Sequence, residues 1–545
     1  LGDSIVCQVG TISDYKKFLT PFVNRAIEDG RNIVYFKFAN KKPLFDDPSD
    51  DTIDSINNES ISTDLTKIKI FQLDPNIGFN YFTLKISEII KSEVKNTFYI
   101  FDNLTCLQRM WHSDSMIINF FSVICSYLHD LNAVSCFSIM RKAHSYVLPS
   151  KAREIAKVIF DIYTIDDKYY IHPLKVSDRV SPTMFLPIHI DGTKVTQITS
   201  SDDTVELFSH INWRSSKRLS YWRRTINSAR SALKKDEKTQ EDIKKLLIYC
   251  LIGIEPKIFD MCMKYFSLKD LLKISSRLIG TGNIGGKSVG MLVATQILNS
   301  SDDAKDYFKP ILENHDSFFI GTDIYYSYIV ENGLWDLRTK QKTDEGYFKY
   351  AKELQDGLQN GKFSEMIEEQ FMHLLEYYGQ CPIIVRSSSL LEDNFGNAFA
   401  GKYDSVFCIN QGTPSQRLKA FEDAIRTVYA STMNEDALNY RKNRGLDKRD
   451  EQMAILVQRV SGDYYGEYYF PHIAGVANSS NLYVWNKKID MDAGMLRLVF
   501  GLGTRAVDRV NNDYVRIVAL DDPTRLPAMT KKDPQRFSQH YVDVL

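Results

Sequence analysis

The sequence predicts an α/β protein with more than one domain, on three observations. The chain has 545 residues, of which 43% are hydrophobic and 25% are charged, and globular domains usually take about 100–200 residues. Its first part alternates β-branched runs with helical segments, a basic helical stretch follows, and the last part places glycine-rich and hydroxyl-rich turns beside apolar strands. We therefore expect a doubly wound domain over residues 1–195, a basic helical connector over 196–270 and a second domain over 271–545.

The charge balance and the cysteines argue against several classes of protein. The chain has 68 Lys+Arg and 69 Asp+Glu residues, a balance that disfavours a nucleic-acid binder. Its 8 cysteines are scattered without a metal-binding grouping, so we predict reduced thiols and assign no metal ligand. No apolar run approaches the ~18–20 residues that span a bilayer, and the first residues lack a signal-peptide pattern. We expect a cytoplasmic protein that does not enter a membrane.

Six strands and two long helices are predicted in the first domain. Apolar runs at 4–9, 32–38, 68–71, 97–102, 134–139 and 156–161 indicate buried strands, and helical periodicity marks 15–28 and 113–131. Strands that alternate with helices form largely parallel sheets covered on both faces. The first domain is therefore predicted to have a Rossmann-like, doubly wound fold.

The turn after the first strand is where such a sheet binds phosphate, because the next helix presents free N–H groups there. A working loop has the pattern G-x-x-x-x-G-K-S/T. This chain keeps Gly10 and Lys16, but Tyr15 replaces the second glycine and Lys17 replaces the hydroxyl residue. Asp102 ends a later strand, as a Walker B acid does. The layout resembles a RecA-type P-loop ATPase domain with a decayed loop, although an unrelated Rossmann-like scaffold explains it as well.

Asp14 adds a negative charge to the same turn, where a phosphate would have to bind. On either interpretation we predict that residues 1–195 do not hydrolyse ATP. We favour an interaction or sensor role for this domain, with a protein as its partner.

The predicted connector contains a cluster of basic and aromatic side chains. Arginines and lysines are concentrated between residues 212 and 245, interleaved with Trp213, Tyr221 and Trp222. One interpretation is a surface for an anionic partner, and the other is a solvated linker helix. We favour the second, because Glu237 and Glu241 soon dilute the charge.

Three segments of the second half carry residues suited to phosphate chemistry. In the first, Gly285 and Gly286 precede Lys287 at the start of an apolar helix. Glycines let backbone N–H groups approach phosphate oxygens, and a lysine adds a mobile positive charge. Alone, this pattern is more typical of a tight turn than of a phosphate site.

The second segment is an apolar strand that ends in Arg386 and three serines. A guanidinium and small donors at one strand end suit an anionic phosphoryl group, and Gly401 downstream permits a flap over that point. The third segment, residues 452–460, is an apolar strand that enters a hinge. Backbone groups at such a hinge can contact an adenine edge between apolar walls.

Together these segments resemble the ATP-grasp, or pyruvate/phosphoenolpyruvate-binding, domain of phosphoenolpyruvate synthase, pyruvate phosphate dikinase and rifampin phosphotransferase. That family has G-G-K, then V-R-S-S-A-x-x-E-D, then F-A-G-x-x-D, and this sequence matches in order and rough spacing from about residue 271 to its end. The resemblance implies an α+β ATP-grasp domain over residues 271–545, with ATP and Mg²⁺ as cofactors.

The resemblance also implies roles for individual residues. Lys287 and Arg386 would hold the ATP phosphates, and Gly285 and Gly286 would shape the loop. The arginine and its turn would be fixed by four residues, Ser387, Ser388, Glu392 and Asp393. Gly401 would form the flap. The adenine contacts would be Gln458 and Val460.

The sequence departs from the family pattern at several positions. Ser389 stands where alanine is usual, Lys402 stands where glutamine often follows the flap glycine, and Thr504 replaces the acid of a G-L-G-E turn. The neighbouring Arg505 could bind phosphate or pair with an acid such as Asp513, and we favour pairing.

The family's D-I-E strand, Q-x-R strand and phosphohistidine motif G-G-x-x-S/C-H-A are not found in the sequence. His472 is the best-placed histidine, and we interpret it as structural. We therefore expect a chain cut short at its carboxyl end, whose full-length form transfers phosphate from ATP to an unidentified acceptor. The alternative is a regulatory or scaffold protein with decayed domains that binds nucleotide without transferring phosphate.

Overall fold

The computed structural model describes residues 2–38, 44, 68–93, 96–165, 168–179, 184–191, 194–199, 220–253, 255–300, 307–308, 310–313, 315–392, 401–507 and 513–545. Asp393 and the first part of the basic cluster, residues 212–219, lie outside the described residues.

The first part of the chain forms a nine-stranded sheet. Its strands are β1 (Ser4–Val9), β2 (Ile33–Lys37), β3 (Ile68–Gln72), β4 (Phe98–Asn103), β5 (Val134–Met140), β6 (Val158–Ile165), β7 (Lys168–Val176), β8 (Ile188–Asp191) and β9 (Lys194–Gln197). They lie in the order β3-β2-β4-β5-β1-β6-β7-β8-β9. Pairing is parallel from β3 as far as β6 and antiparallel from β6 to β9.

Helices cover both faces of this sheet. They are α1 (Ile12–Glu28), α2 (Phe79–Ser92), α3 (Leu107–Trp111), α4 (Asp114–Asp130) and α5 (Val147–Ile155). Alternate residues of β1 point to opposite faces, so that Cys7 joins the core under α1 with Leu19, whereas Val6 joins the core under α2 and α4 with Phe120. The prediction of a largely parallel α/β sheet is confirmed. The antiparallel extension β7–β9 was not predicted, because its polar and proline-containing sequence lacks an apolar run.

A group of helices follows. Its members are α6 (Tyr221–Ala232), α7 (Glu237–Leu251), α8 (Pro256–Tyr265), α9 (Leu268–Ser276) and α10 (Gly286–Ser300). Leu247 of α7 and Leu271 of α9 share one apolar core with Val289 of α10. On the other side, Arg224 of α6 donates to the Gln108 side-chain oxygen at 2.9 Å. This helical region is therefore packed against the part of the chain that precedes it and the part that follows it, rather than solvated all round.

The second large sheet has five strands in the order β10-β11-β14-β12-β13. They are β10 (Leu278–Ile279), β11 (Ser317–Ile320), β12 (Ile383–Ser389), β13 (Ser405–Cys408) and β14 (Met453–Arg459). β14 is antiparallel to both β11 and β12. Because β14 lies between them, it brings Gln458 beside the strand that carries Arg386.

Helices surround this sheet and two small sheets follow it. The helices are α11 (Thr322–Glu331), α12 (Trp335–Gln341), α13 (Gly346–Lys349), α14 (Ala351–Asn360), α15 (Glu365–Tyr378), α16 (Pro414–Ser431), α17 (Glu435–Asn443), α18 (Thr504–Val507) and α19 (Ala528–Lys532). The small sheets pair β15 (Asp463–Tyr465) with β16 (Tyr468–Phe470), and β18 (Met495–Val499) with β17 (Ala474–Asn478) and β19 (Arg516–Ala519).

The two large sheets share one apolar core through helices α4 and α11. Asn119 of α4 donates to the buried Ser327 hydroxyl of α11 at 3.1 Å, and the rings of Phe79 and Tyr326 lie 4.8 Å apart. Across the described ranges, no helix combines the length and the apolar character needed to cross a membrane. All 8 cysteines are free thiols, and most are buried, as predicted.

Candidate functional site

The two glycines before Lys287 let the loop lie directly against the end of β12. Gly285 has φ +81°, and a Cβ there would overlap the Ser388 carbonyl oxygen. A Cβ on Gly286 would overlap the Glu392 carbonyl oxygen in the same way. The structure therefore shows a packing requirement for both glycines, a reason that differs from the approach to phosphate expected from the sequence.

Lys287 is held at the point where this loop meets β12. Its Nζ donates to Glu392 Oε1 at 2.7 Å and to Ser387 Oγ at 3.1 Å. Glu392 is buried and also accepts from the Ser387 hydroxyl at 3.0 Å and from the Ser389 N–H at 3.2 Å. A lysine has three N–H donors, so one remains for a ligand while the other two fix the ammonium group in place.

Ser388 joins the start of α10 to β12. Its hydroxyl donates to the Ile284 carbonyl at 2.9 Å and accepts from the Ser288 N–H at 3.0 Å. The resemblance implied that Ser387 and Ser388 fix the arginine and its turn. In the structure they contact the lysine loop, Ser387 through Lys287 and Ser388 through the helix start, and Ser387 also donates to Glu392 in the turn after β12.

Arg386 lies one strand away from Gln458 and contacts it directly. Its Nη1 donates to Gln458 Oε1 at 3.2 Å, and the Gln458 amide donates to Ser317 Oγ and to Met291 Sδ, both at 3.2 Å. A cleft of ≈ 720 Å³ opens beside Met291 and Ser317. The structure thus brings the expected phosphate arginine and the expected adenine residue together, next to α10.

The backbone groups of Val460 are less available to an adenine ring than the sequence suggested. Its N–H donates to the Pro382 carbonyl at 3.0 Å, and its carbonyl accepts from the Tyr469 hydroxyl at 2.8 Å. An adenine edge would have to compete with Pro382 for this N–H. Gly401 has φ +70° and nothing within 4 Å of a Cβ built on it, which suits a turn next to the segment 393–400 outside the described residues.

A buried ionic cluster supports the end of β12, and sequence reasoning missed it. Ser389 and Tyr403 both donate hydroxyl hydrogen bonds to the carboxylate of Glu451. Arg441, which is buried, donates to the same carboxylate at 3.0 Å and to the Thr432 carbonyl at 2.5 Å. Ser389, noted only as a mild departure, therefore connects the β12 motif, through Glu451, to Tyr403, two residues after the flap glycine.

Asp323 anchors the other end of the glycine-rich loop. It accepts from the Thr281 N–H at 2.8 Å and from the Thr281 hydroxyl at 2.7 Å. Burial raises the pKa of Asp323 from 3.8 to about 6, against the hydrogen bonds from Thr281, which lower it. This side chain was not recognised in the sequence because it lies about 40 residues from the loop.

Two further expectations concern charged side chains near the carboxyl end. Arg505 pairs with Asp513 at 2.7 Å and with Asp543 at 2.9 Å, so the expected pairing is confirmed. His472 is exposed and contacts the Tyr465 hydroxyl at 2.7 Å. It is therefore a surface residue of the β15–β16 hairpin region rather than a core histidine.

The first strand-to-helix turn of the nine-stranded sheet is closed by a carboxylate. Asp14 accepts from the Thr11 N–H at 2.9 Å and from the Thr164 hydroxyl at 2.6 Å, and Thr11 caps the start of α1. Tyr15 is buried and donates to the Phe101 carbonyl at 3.2 Å. A phosphate at this turn would meet a fixed negative charge.

Within the described residues, no three His, Cys, Asp or Glu side chains are grouped so that they could hold a metal ion. The donors at the candidate site are cationic or hydroxylic, which fits a phosphate better than it fits a divalent cation. We therefore assign no Mg²⁺ ligand among the residues that the structure describes.

The cationic and hydroxylic side chains that meet at the end of β12 suit a phosphate-bearing ligand. Residues 281–544 match the family described as pyruvate phosphate dikinase, AMP/ATP-binding domain. The match confirms, for this part of the chain, the resemblance to phosphoenolpyruvate synthase and pyruvate phosphate dikinase.

A rifampicin phosphotransferase from Streptomyces sviceus is 32% identical over 135 residues, which is 24% of this chain. The match covers 13% of the relative's length, so the chain spans only a small part of that protein.

Proposed function

We propose that residues 271–545 bind ATP between α10 and the strands β12 and β14, and that the complete protein transfers a phosphate from ATP to an acceptor not yet identified. Lys287 and Arg386 would hold the phosphates, and Gln458 would lie near the adenine. The observation that carries the proposal is the fixed ammonium group of Lys287, which Glu392 and Ser387 hold at 2.7 and 3.1 Å beside the arginine strand. The family match supports ATP as the nucleotide.

The geometry suggests how the site would act on the nucleotide. Cations and N–H donors that are already in position stabilise charge on a phosphoryl group without rearranging. Gly401 stays the predicted flap glycine, and Asp393 stays a predicted site residue outside the described ranges. Mg²⁺, when bound with ATP, would offset phosphate charge, and no step of this proposal is assigned to it.

Calorimetry with ATP and Mg²⁺ tests the site. Lys287→Ala and Arg386→Ala are each expected to weaken ATP binding by about tenfold or more, since a hydrogen bond to a charged group contributes ~1.5–3 kcal/mol. Lys419→Ala, which removes an exposed lysine of α16, is the matched control and should bind as the wild type does. Equal affinities in all four proteins would contradict the assignment.

For the rest of the chain we propose a RecA-like domain over residues 1–195, which contacts a protein partner without hydrolysing ATP, and a connector over 196–270. The Asp14 carboxylate at the first turn supports the loss of hydrolysis. Magnesium-dependent hydrolysis that persists after Lys287→Ala and disappears after Lys16→Ala would refute it.

The family match does not favour the alternative of a regulatory or scaffold protein that transfers no phosphate. Because all 8 cysteines are free thiols, we place the protein in a reducing compartment, the cytoplasm.

A further inference from the structure

A cleft of ≈ 550 Å³ lies where three parts of the chain meet. Its walls come from α3 and the segment 75–79, from α7 and the turn after it, and from the glycine-rich loop. Pockets for small ligands usually measure ~300–1,000 Å³. The described residues that line this cleft include Gly285 and Gly286 but not Lys287, Arg386 or Gln458, so it shares the loop backbone with the candidate ATP site but none of these three side chains.

The walls of this cleft suit a flat, apolar ligand. Trp111 of α3 and Tyr249 of α7 both line the cleft with aromatic rings. Tyr249 is 43% exposed, so part of its ring is open to a ligand. Gly253 and Gly282, with φ +111° and +84°, contribute bare backbone with no side chain. Aromatic rings and peptide planes stack well on a planar molecule.

The described lining of the cleft offers one exposed cation to an anionic ligand. Two carboxylates line it, but each is already engaged at the start of a helix, Glu255 by the Ile258 N–H at 2.8 Å and Asp323 by Thr281. Helix N-termini offset such negative charge. Arg109 also lines the cleft and is exposed at the end of α3, so its guanidinium is the charge best placed to attract a ligand.

The cleft is joined directly to the loop of the candidate ATP site. The Ile284 N–H donates to the Leu251 carbonyl at 2.8 Å, which links the connector wall to the glycine-rich loop. Gly285 and Gly286 line the cleft on one side and immediately precede Lys287. A ligand that contacts this wall would therefore restrain the backbone that carries the lysine.

We propose that this cleft is a second ligand site, which binds a planar aromatic monoanion with its rings between Trp111 and Tyr249 and its anionic group at Arg109. Occupancy restrains the glycine-rich loop. The site stands on its own lining residues and does not require that Lys287 bind ATP.

Two fluorescent dyes test the proposal on the full chain. Anilinonaphthalenesulfonate has fused aromatic rings and one sulfonate, and phenylnaphthylamine has the same rings without the charge. Arg109→Glu is expected to weaken binding of the sulfonate about tenfold and to change binding of the neutral dye by less than about twofold. The control Arg153→Glu, which reverses an exposed arginine at the end of α5, should change neither. Tyr249→Ala should weaken both dyes about fivefold.

Hydrogen exchange locates the bound dye. The sulfonate should slow exchange in segments 107–112 and 282–286, in the wild type and in Lys287→Ala alike, so that failure of the ATP proposal leaves this result unchanged. Equal sulfonate affinity in Arg109→Glu and Arg153→Glu, or protection confined to other segments, would overturn the proposal. If Arg109→Glu does not unfold cooperatively, Tyr249→Ala decides: unchanged binding of both dyes refutes the site.

Discussion

The helix N-termini of α1 and α10 differ in the charged side chains placed at them: a carboxylate at the first, and an ammonium group paired with a carboxylate at the second. Before α1, Asp14 fills the turn and accepts the Thr11 N–H at 2.9 Å. Before α10, Lys287 lies at the turn, held by Glu392 at 2.7 Å. Helix N-termini attract anions in general. The Asp14 carboxylate already occupies the N-terminus of α1. At the N-terminus of α10, the Lys287 ammonium group adds a positive charge. We therefore expect side-chain charge, rather than the backbone pattern, to decide which turn can receive a phosphate.

The largest effect is expected at the second turn. Gly285→Ala places a Cβ on the Ser388 carbonyl oxygen at a residue with φ +81°, so the loop must separate from β12. We expect the free energy of unfolding to fall by about 4 kcal/mol or more, measured by denaturant unfolding.

Gly290→Ala is the control for this prediction. It lies in α10, five residues after Gly285, with nothing within 4 Å of the added atom, and alanine should stabilise the helix by about 0.5–1 kcal/mol. Similar stability of the two variants would show that the close approach of loop and strand is not required.

The buried cluster behind β12 should give the next largest effect. Arg441→Met leaves the Glu451 carboxylate buried without its cation, which should cost about 3 kcal/mol of stability in denaturant unfolding. Arg444→Met removes an exposed arginine just after α17 and should change stability by less than about 0.5 kcal/mol. A small loss for Arg441→Met would mean that the cluster does not support the site.

Asp323 should make stability depend on pH. Its pKa in the folded protein, about 6, is above the unfolded value near 3.8, so the folded state binds the proton more tightly. The stabilisation is present at low pH and is lost as the pH rises through about 6, a fall of about 3 kcal/mol.

Asp323→Asn should remove this part of the pH dependence in unfolding measurements between about pH 4 and 7. The exposed Asp260 provides the control variant, Asp260→Asn. A wild-type slope in Asp323→Asn would contradict the assignment.

The smallest effect is expected at the first turn. Gly10→Ala adds a Cβ 3.4 Å from the Asp14 carboxylate, an ordinary contact, and its φ does not require glycine. Stability should change by less than about 1 kcal/mol, and ATP binding should not change. A loss as large as that of Gly285→Ala would show that the two turns are built alike.

The sequence was informative where structure and chemistry are local. Apolar runs predicted the parallel strands, and the motifs around Lys287 and Arg386 predicted the loop and strand that meet in the structure. The Glu451–Arg441 cluster was not predictable, because Glu451 reaches Ser389 only through the pairing of β12 with β14. The reason for Gly285 and Gly286 was also hidden, since it depends on contact with a strand end about 100 residues away.

The central claim is that this chain binds one ATP, at the turn before α10 and not at the turn before α1. Equilibrium dialysis with labelled ATP and Mg²⁺ counts bound nucleotide directly. We expect about one equivalent per chain in the wild type and in Lys16→Ala, and none in the double variant Lys287→Ala, Arg386→Ala at the same nucleotide concentration. One equivalent retained by the double variant, or loss of binding in Lys16→Ala, would contradict the claim.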